Sequence, residues 1–343
     1  MICPIWTQLF VSQLKINSLT HIIILHHNYS CCDNGLSVRL GSSEIPGFEP
    51  HLYLTPDHIL TQTTEPVFAF NLFRPGVPHP VAIFQCSKQS ETDWQSPAHA
   101  PFGGLQCSID CCKHELDFML HFVIQWIKRD GGKKLLIKTA PSCYNPDSHC
   151  LLSQCYLNTG FRQIQAYLNS FILIKKESFV SCIEPAEQRR LRKSHEAGFR
   201  AGLADDISNE CAFQFLLKCR ERSGYKLSIN LAQIAELREK FADRFLVFAV
   251  REASVIIALT LAVKVNSHVL YNFLCADLLE YRAYSPTVML IEGLYNYCQQ
   301  NGIDILDLGI SLDQDGNFKP SLHRFKQNIG AQDCVKETYE ILI

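Results

Sequence analysis

The chain of 343 residues carries 32 Lys and Arg against 34 Asp and Glu, a formal net charge of −2, and is 47% hydrophobic and 19% charged. That length exceeds what one hydrophobic core usually serves, and the composition is that of a globular and not a disordered chain, so two domains are expected. Balanced charge gives no global pull toward nucleic acid and argues against a DNA-binding protein, although local basic patches can still meet a phosphorylated ligand.

Residues 1–48 share least with the rest and read as an edge hairpin or an N-terminal extension. Their apolar runs, 6–14 and 22–25, are broken by Lys15, Asn17 and His21 and are too short to cross a bilayer. No basic stretch precedes them as in a secretory signal, so a cytoplasmic protein without membrane insertion is expected. His21, His26 and His27 lack carboxylate or thiolate partners at ligand spacing, and no metal is assigned. The sixteen cysteines include the adjacent pairs Cys31-Cys32 and Cys111-Cys112 but no C-x-x-C, which suits buried free thiols in a reducing compartment. A thiol nucleophile would need a nearby base; Cys143 and Cys275, near predicted strand ends, are the nominal candidates.

From about residue 49 the pattern becomes regular. Strands are predicted at 67–73 and 80–86 around a Pro-Gly turn, followed by the run Ala100-Pro-Phe102-Gly103-Gly104. A helix over 112–129 places Leu116, Leu120, Val123, Ile124 and Ile127 on one face and stops at Gly131-Gly132. A strand at 134–139, a helix at 146–157 and a long strand at 161–174 complete the first half. The basic segment 187–198, with Arg189, Arg190, Arg192 and Lys193, is either a solvated linker helix or the cationic wall of an interdomain cleft. In the second half a helix at 207–222 precedes a hairpin of 245–251 with 255–265, a strand at 268–275, a helix at 286–300 and a buried strand at 303–308. Ser285 reads as the N-cap and Pro286 as the first residue of that last helix, an arrangement whose free N–H groups attract phosphate. Antiparallel strands followed by a helix crossing to another strand occur twice, which argues for a mixed α/β protein and against a TIM barrel or a single Rossmann unit.

The segment Asp307-Leu-Gly309-Ile-Ser311, followed by Leu322-His-Arg324-Phe325-Lys326 and Gly330, resembles the acyltransferases of the GNAT superfamily. More narrowly it resembles their tandem-domain branch, which includes Fem-type aminoacyltransferases and acetyltransferases of the cellulose-biosynthesis-accessory type. The resemblance covers roughly residues 50–335 and implies two tandem GNAT-like domains, each a mixed, mostly antiparallel sheet flanked by helices. The expected boundaries are 49–180 for the first domain, 181–204 for the basic linker helix and 205–343 for a second domain carrying the donor site.

Acyl transfer to an amine needs a donor pocket, an oriented nucleophile, a proton acceptor and something to stabilise the oxyanion. The resemblance places the donor, acyl-CoA or another activated acyl carrier, at Tyr281, Arg282, Tyr284, Ser285 and Thr287, with Lys326 at its charge. This stretch lacks both glycines of the superfamily's Q/R-x-x-G-x-G/A turn, which limits close approach of a pyrophosphate and leaves other acyl carriers open. Asp307, at a strand end, reads as a general base or as a loop cap, with Ser311 beside it; Tyr271 reads as a second proton-handling group or as an ordinary strand residue. Arg324 and Lys326 flank Phe325 and are either ligand-binding or plain exposed charges. Phe102, Gly103, Gly104, Arg192 and Arg324 are the candidate acceptor contacts. The implied acceptor is a small molecule or an envelope precursor, with transfer RNA as a further possible partner and a monomer or homodimer as the assembly. Without its donor glycines the chain is alternatively a binding protein that keeps the fold and has lost catalysis.

Overall fold

The computed structural model describes residues 30–33, 35–41 and 44–343. His21, His26, His27 and the apolar runs at 6–14 and 22–25 lie outside the described residues. Among the described residues, fourteen strands join in one sheet.

The hairpin of β1 (Ser30–Asp33) and β2 (Leu36–Leu40) forms one edge. After the short helix α1 (Pro56–Gln62), β3 (Val67–Phe73) and β4 (Ala82–Lys88) continue the sheet in antiparallel order. β5 (Asp93–Ser96) follows, and β6 (Gln106–Cys107) pairs with β4 off the main path. α2 (Lys113–Arg129) begins at Cys112, whose N–H donates to the Glu115 side chain in a capping box, and its buried face carries Leu116, Met119, Leu120, Val123 and Ile127. β7 (Lys134–Lys138) runs parallel to β5, and α3 (Pro146–Asn158) leads to the twelve-residue β8 (Arg162–Leu173).

The short helix α4 (Phe179–Cys182) and the basic helix α5 (Pro185–Glu196) then lead to β9 (Arg200–Leu203), the opposite edge of the sheet. Helices α6 (Asn209–Arg222) and α7 (Leu231–Lys240) cover one face. β10 (Phe245–Glu252), β11 (Val255–Lys264) and β12 (Val269–Asp277) form an antiparallel meander. α8 (Pro286–Gln300) crosses to β13 (Ile305–Ile310), which lies parallel to β12. α9 (Pro320–Asn328) and the eleven-residue β14 (Gln332–Leu342) end the chain.

The strand order at the centre of the sheet is β7-β14-β8-β13. The last strand of the second half therefore sits beside the first half, and β8 sits against β13 of the second. This exchange was not legible in the pattern of 332–342, to which no element had been assigned. It joins the two halves of the chain into one continuous sheet, and it brings residues from 140–170 next to residues from 300–340. One core lies under α2 and α3 around Phe70, Phe84 and Trp94; a second packs α8 against the sheet around Phe248 and Leu306; a third lies on the opposite face under α6 and α7 and includes Phe102.

Candidate active site

β12 and β13 pair over three residues, with Val269, Leu270 and Tyr271 opposite Ile305, Leu306 and Asp307. Beyond Tyr271 and Asp307 the strands part: β12 continues to Asp277, while β13 turns its remaining residues to β8. A cavity of about 1080 Å³ opens in this fork. Its walls include Tyr271, Asn272, Cys275, Arg282, Ser285, Thr287, Gly309 and Lys326. Tyr271, Arg282, Ser285, Thr287 and Lys326, distant in sequence, thus face one space.

The charge of that space is one-sided. Arg190, Arg220, Arg222, Arg282, Lys319 and Lys326 line it against the single carboxylate of Asp277. Arg282 lies 3.6 Å from Asp277. Arg220, on the last turn of α6, is a residue that the sequence pattern did not single out. Its Nε is buried without a hydrogen-bond partner, its guanidinium stands over the Tyr225 ring at 5.5 Å, and Lys319 Nζ donates to the Tyr225 hydroxyl at 2.9 Å. A buried N–H left unpaired in a cavity of cations is a receptor for an anion. The helical spacing of α6 held no sign of this, because Arg220 meets the cleft through tertiary packing.

The expected donor loop is a 3-10 helix, Leu279–Tyr284, followed by Ser285 at φ 54 and ψ 57. Ser285 stands at the N-cap of α8, as its position suggested, but its side chain makes no capping bond. It adopts the left-handed conformation that glycine most readily takes, so the tight turn forms without the glycine. Helix α5 holds this turn from behind: Lys193 Nζ donates to the Ala283 carbonyl at 3.2 Å and Ser194 Oγ to the Tyr284 carbonyl at 2.5 Å. Tyr284 and Tyr281 point away from the cavity. Tyr281 donates to Glu252 at 2.7 Å, and both rings pack on Phe199. Of the basic segment, Arg190 reaches the cleft, whereas Arg192 is exposed and lines neither cavity described here.

Asp307 is 2% exposed and sits at the crotch of the fork. Its Oδ1 accepts from Asn169 Nδ2 at 2.7 Å and from the Gly309 N–H at 2.8 Å, and its Oδ2 accepts from the Tyr144 hydroxyl at 2.6 Å. Gly309, at φ 74, is the residue that lets the strand turn its N–H back onto this carboxylate; a Cβ there would stand 3.3 Å from the Tyr271 ring. Burial and the charge of Asp307 push the Tyr271 phenol well above its ordinary value, so Tyr271 stays protonated and able to donate. Ser311 is buried, its hydroxyl has no partner, and it lines neither cavity.

The charged motif after β13 is the helix α9 and not an extended segment. Lys326 turns inward and donates to the carbonyls of Gly309 at 2.8 Å and Ile310 at 2.9 Å. Desolvation lowers its pKa to about 8, against the opposing pull of Asp307 and Asp333. Arg324 falls on the exposed side of α9 and lines neither cavity.

A second cavity, about 540 Å³, lies on the other side of Tyr144. His51, Gln106, Ser142, Asn145, His149 and Ser153 are among its walls, and no Lys or Arg of the described residues lines it. Gly103 borders it, but both glycines of the 100–104 run are explained by packing. A Cβ on Gly103 would come within 2.8 Å of Pro97 N, and one on Gly104 within 3.0 Å of the Tyr156 hydroxyl. Phe102 is core, packed edge-on against His51, Tyr53 and Tyr144. The thiols of Cys143 and Cys275, the nominal nucleophiles, are both pushed up, Cys143 mainly by its bond with the Cys334 thiol and Cys275, to about 12, by burial. Neither is thereby activated as a thiolate. No group of three or more metal-ligating side chains occurs among the described residues, and no described helix is long and apolar enough to cross a membrane.

No family model and no curated protein matches the chain. Solved structures do. FemX superposes with a TM-score of 0.65 at 12% identity, over 86% of this chain and 93% of FemX. A C-terminal domain assigned to a lysylphosphatidylglycerol synthetase from Agrobacterium fabrum superposes with a TM-score of 0.50 at 12% identity, over 76% and 81% of the two chains. A tandem GNAT protein from the clavulanic acid biosynthesis pathway is also similar, with a TM-score of 0.47 at 7% identity over 80% and 82%. The chain therefore shares the fold of FemX, in keeping with the expectation from the motifs at 307–330; identities this low bear on fold alone.

Proposed function

We propose that this protein is an acyltransferase that moves an acyl or aminoacyl group from a thioester or ester donor to an amine. The carrying observation is the fork between β12 and β13, which ends at Tyr271 and Asp307 and opens into a cavity with six cationic side chains and one carboxylate. A phosphorylated donor would place its charge among Arg220, Arg282 and Lys319 and its acyl carbon beside Tyr271. The amine attacks that carbon directly. As the tetrahedral intermediate collapses, the bond from the carbon to the carrier's sulfur or oxygen breaks, and the carrier leaves as its thiol or alcohol once protonated. Tyr271, held protonated, donates to the developing oxyanion, and Asp307 takes the proton that the amine gives up. We further propose the chain divisions 49–180, 181–204 and 205–343 as the two repeats and their linker, and a cytoplasmic setting in which the free cysteines stay reduced.

A second reading, in which the donor is aminoacyl-tRNA, is favoured by the basic residues outside the cavity: Arg189, Arg192 and Lys193 on α5 are exposed beside Arg190 at the cleft. The acceptor in either case is a small metabolite, a sugar or an envelope precursor bearing an amine.

Thermal-shift titration with CoA, acetyl-CoA, longer acyl-CoAs and aminoacyl-tRNA separates these readings, because a ligand of the folded state raises the melting temperature with its concentration. A rise with acetyl-CoA that Arg282→Ala abolishes supports the thioester donor. A rise with aminoacyl-tRNA that salt abolishes supports the RNA-borne one. No rise with any donor would reject the acyltransferase reading and leave a binding protein on this fold.

A further inference from the structure

The smaller cavity takes no part in the transfer described above, yet it has the size and the chemistry of a binding site. Its volume of about 540 Å³ falls within the range of roughly 300–1,000 Å³ usual for small-molecule pockets. Stretches distant in sequence build it: the loop at 47–54, the segment 103–110, the turn at 139–145, helix α3 and the loop at 266–268.

Its exposed rim is acidic. Burial opposes the charge of Glu49, but the hydrogen bonds from Ser267 and the nearby Arg244 hold its pKa below the ordinary value; the Ser108 hydroxyl and Arg74 do the same for Asp110. Neither arginine cancels its carboxylate, because each is shared with another. Arg74 lies 2.6 Å from Asp110 and 2.6 Å from Glu115, and Arg244 lies 3.8 Å from Glu49 and 3.3 Å from Asp243. Two guanidiniums among four carboxylates leave the rim negative. The buried end is different. His51 is 7% exposed, and its ring packs edge-on against Phe102 and Tyr144, with no hydrogen bond to either ring nitrogen among the described residues. Burial lowers its pKa to about 4, so near neutral pH it is an uncharged imidazole with one N–H donor and one lone pair. A polar side chain this buried normally has a partner, and the cavity it borders is the space from which one can come. Gln106, Ser142, Asn145, Ser148 and Asn266 add further groups of the kind that pair with hydroxyls.

We propose that this cavity binds a small hydroxylated amine as its ammonium ion, with the charge at the acidic rim and a hydroxyl on His51. Phosphorylated and carboxylated ligands are disfavoured, because no Lys or Arg of the described residues lines the cavity. Tyr144, on the same wall, donates to Asp307 at 2.6 Å, so a ligand here lies one phenol away from that carboxylate.

Calorimetric titration of the full chain with D-glucamine, and with sorbitol as its uncharged counterpart, tests the site. D-Glucamine should bind, and sorbitol, which has a hydroxyl in place of the ammonium, should bind at least tenfold more weakly. Raising the salt concentration should weaken D-glucamine, since the rim is exposed. His51→Phe keeps an aromatic ring for the edge-on packing and removes the ring nitrogens; it should weaken D-glucamine on the order of tenfold. Glu49→Gln alters an exposed residue and serves if His51→Phe does not fold; it should weaken D-glucamine about two- to fivefold. Absence of D-glucamine binding, equal binding of sorbitol, or D-glucamine affinity kept in full by folded His51→Phe or by Glu49→Gln would each overturn the proposal. Failure of the acyltransferase reading would show separately, as no donor binding, and leaves this titration in force because it is run without donor.

Discussion

The two cavities of this molecule differ more in charge than in kind. The fork between β12 and β13 is lined by six cationic side chains and one carboxylate, while the smaller cavity beyond Tyr144 has His, Ser, Asn and Gln walls with no Lys or Arg among the described residues. Their walls share no residue, and Asp307 lines neither, yet it is bonded from both sides: Tyr144 reaches it from the smaller cavity, and Gly309, on the wall of the fork, donates to it from the other. Cations concentrated on one side of a buried carboxylate suit an anionic ligand there. The smaller cavity has the carboxylates of Glu49 and Asp110 among its walls and suits a cationic or an uncharged group instead. The difference teaches that the chemistry is asymmetric about Asp307, and that substitutions on the two sides should fail in different ways.

The largest effect is expected at Asp307, between the two cavities. Asp307→Asn should lower turnover on the order of 10²–10⁴-fold, the usual contribution of a positioned general base, while leaving donor affinity nearly unchanged. Turnover kept within a few fold, with a lowered melting temperature, would make Asp307 a structural cap and not a proton acceptor.

Next in size is Arg220, whose Nε is buried without a hydrogen-bond partner. Arg220→Ala should weaken an anionic donor by about 1.5–3 kcal/mol, on the order of tenfold to a hundredfold in Kd, without a matching loss of stability. Calorimetric titration with the donor that raises the melting temperature measures it directly. An unchanged Kd would move the anion site elsewhere in the fork.

Lys326 sharpens the comparison through pH. Its folded pKa of about 8 lies below the ordinary 10.5, so the folded chain holds this proton less tightly than the unfolded one. The penalty for burying the charge is present in full below pH 8 and lifts as the pH climbs toward 10.5. Wild type should therefore gain on Lys326→Met by on the order of 3 kcal/mol across that window, read by denaturant unfolding at each pH. A constant difference between the two proteins would show that the ammonium is not desolvated.

The smallest effect is expected at Arg324, on the outer side of α9. Arg324→Ala should change stability by no more than about 0.5 kcal/mol and leave donor affinity unaltered. A clear loss of affinity would mean that the ligand extends well beyond the fork.

How much of this was legible beforehand depended on whether a feature is local. The helices at 112–129 and 286–300 follow from apolar spacing and breakers, and the structure returns them within one residue as α2 and α8. The Asp307-Leu-Gly309 motif was legible for a similar reason, since a positive φ at Gly309 and a carboxylate two residues earlier form one local bond. At Ser285 the missing glycines bear on how closely a pyrophosphate can approach; the turn itself forms with Ser285 left-handed, and contacts from Lys193 and Ser194 on α5 hold the preceding carbonyls. Arg192 and Arg324 were singled out for their charge, yet helical phase turns them away from the cavities and gives Arg190 and Lys326 the inward positions.

The mixed α/β class and the order of most elements can be read from the sequence, because they rest on periodicity, turn chemistry and short motifs. Only the tertiary structure decided what surrounds Asp307. Tyr144 and Asn169 come from two separate elements, and the pairing of β8 with β13 across the sheet brings Asn169 to the carboxylate. Strand pairing across the sheet is set by the fit of whole surfaces and not by any local run of residues, so no window of the sequence could announce it.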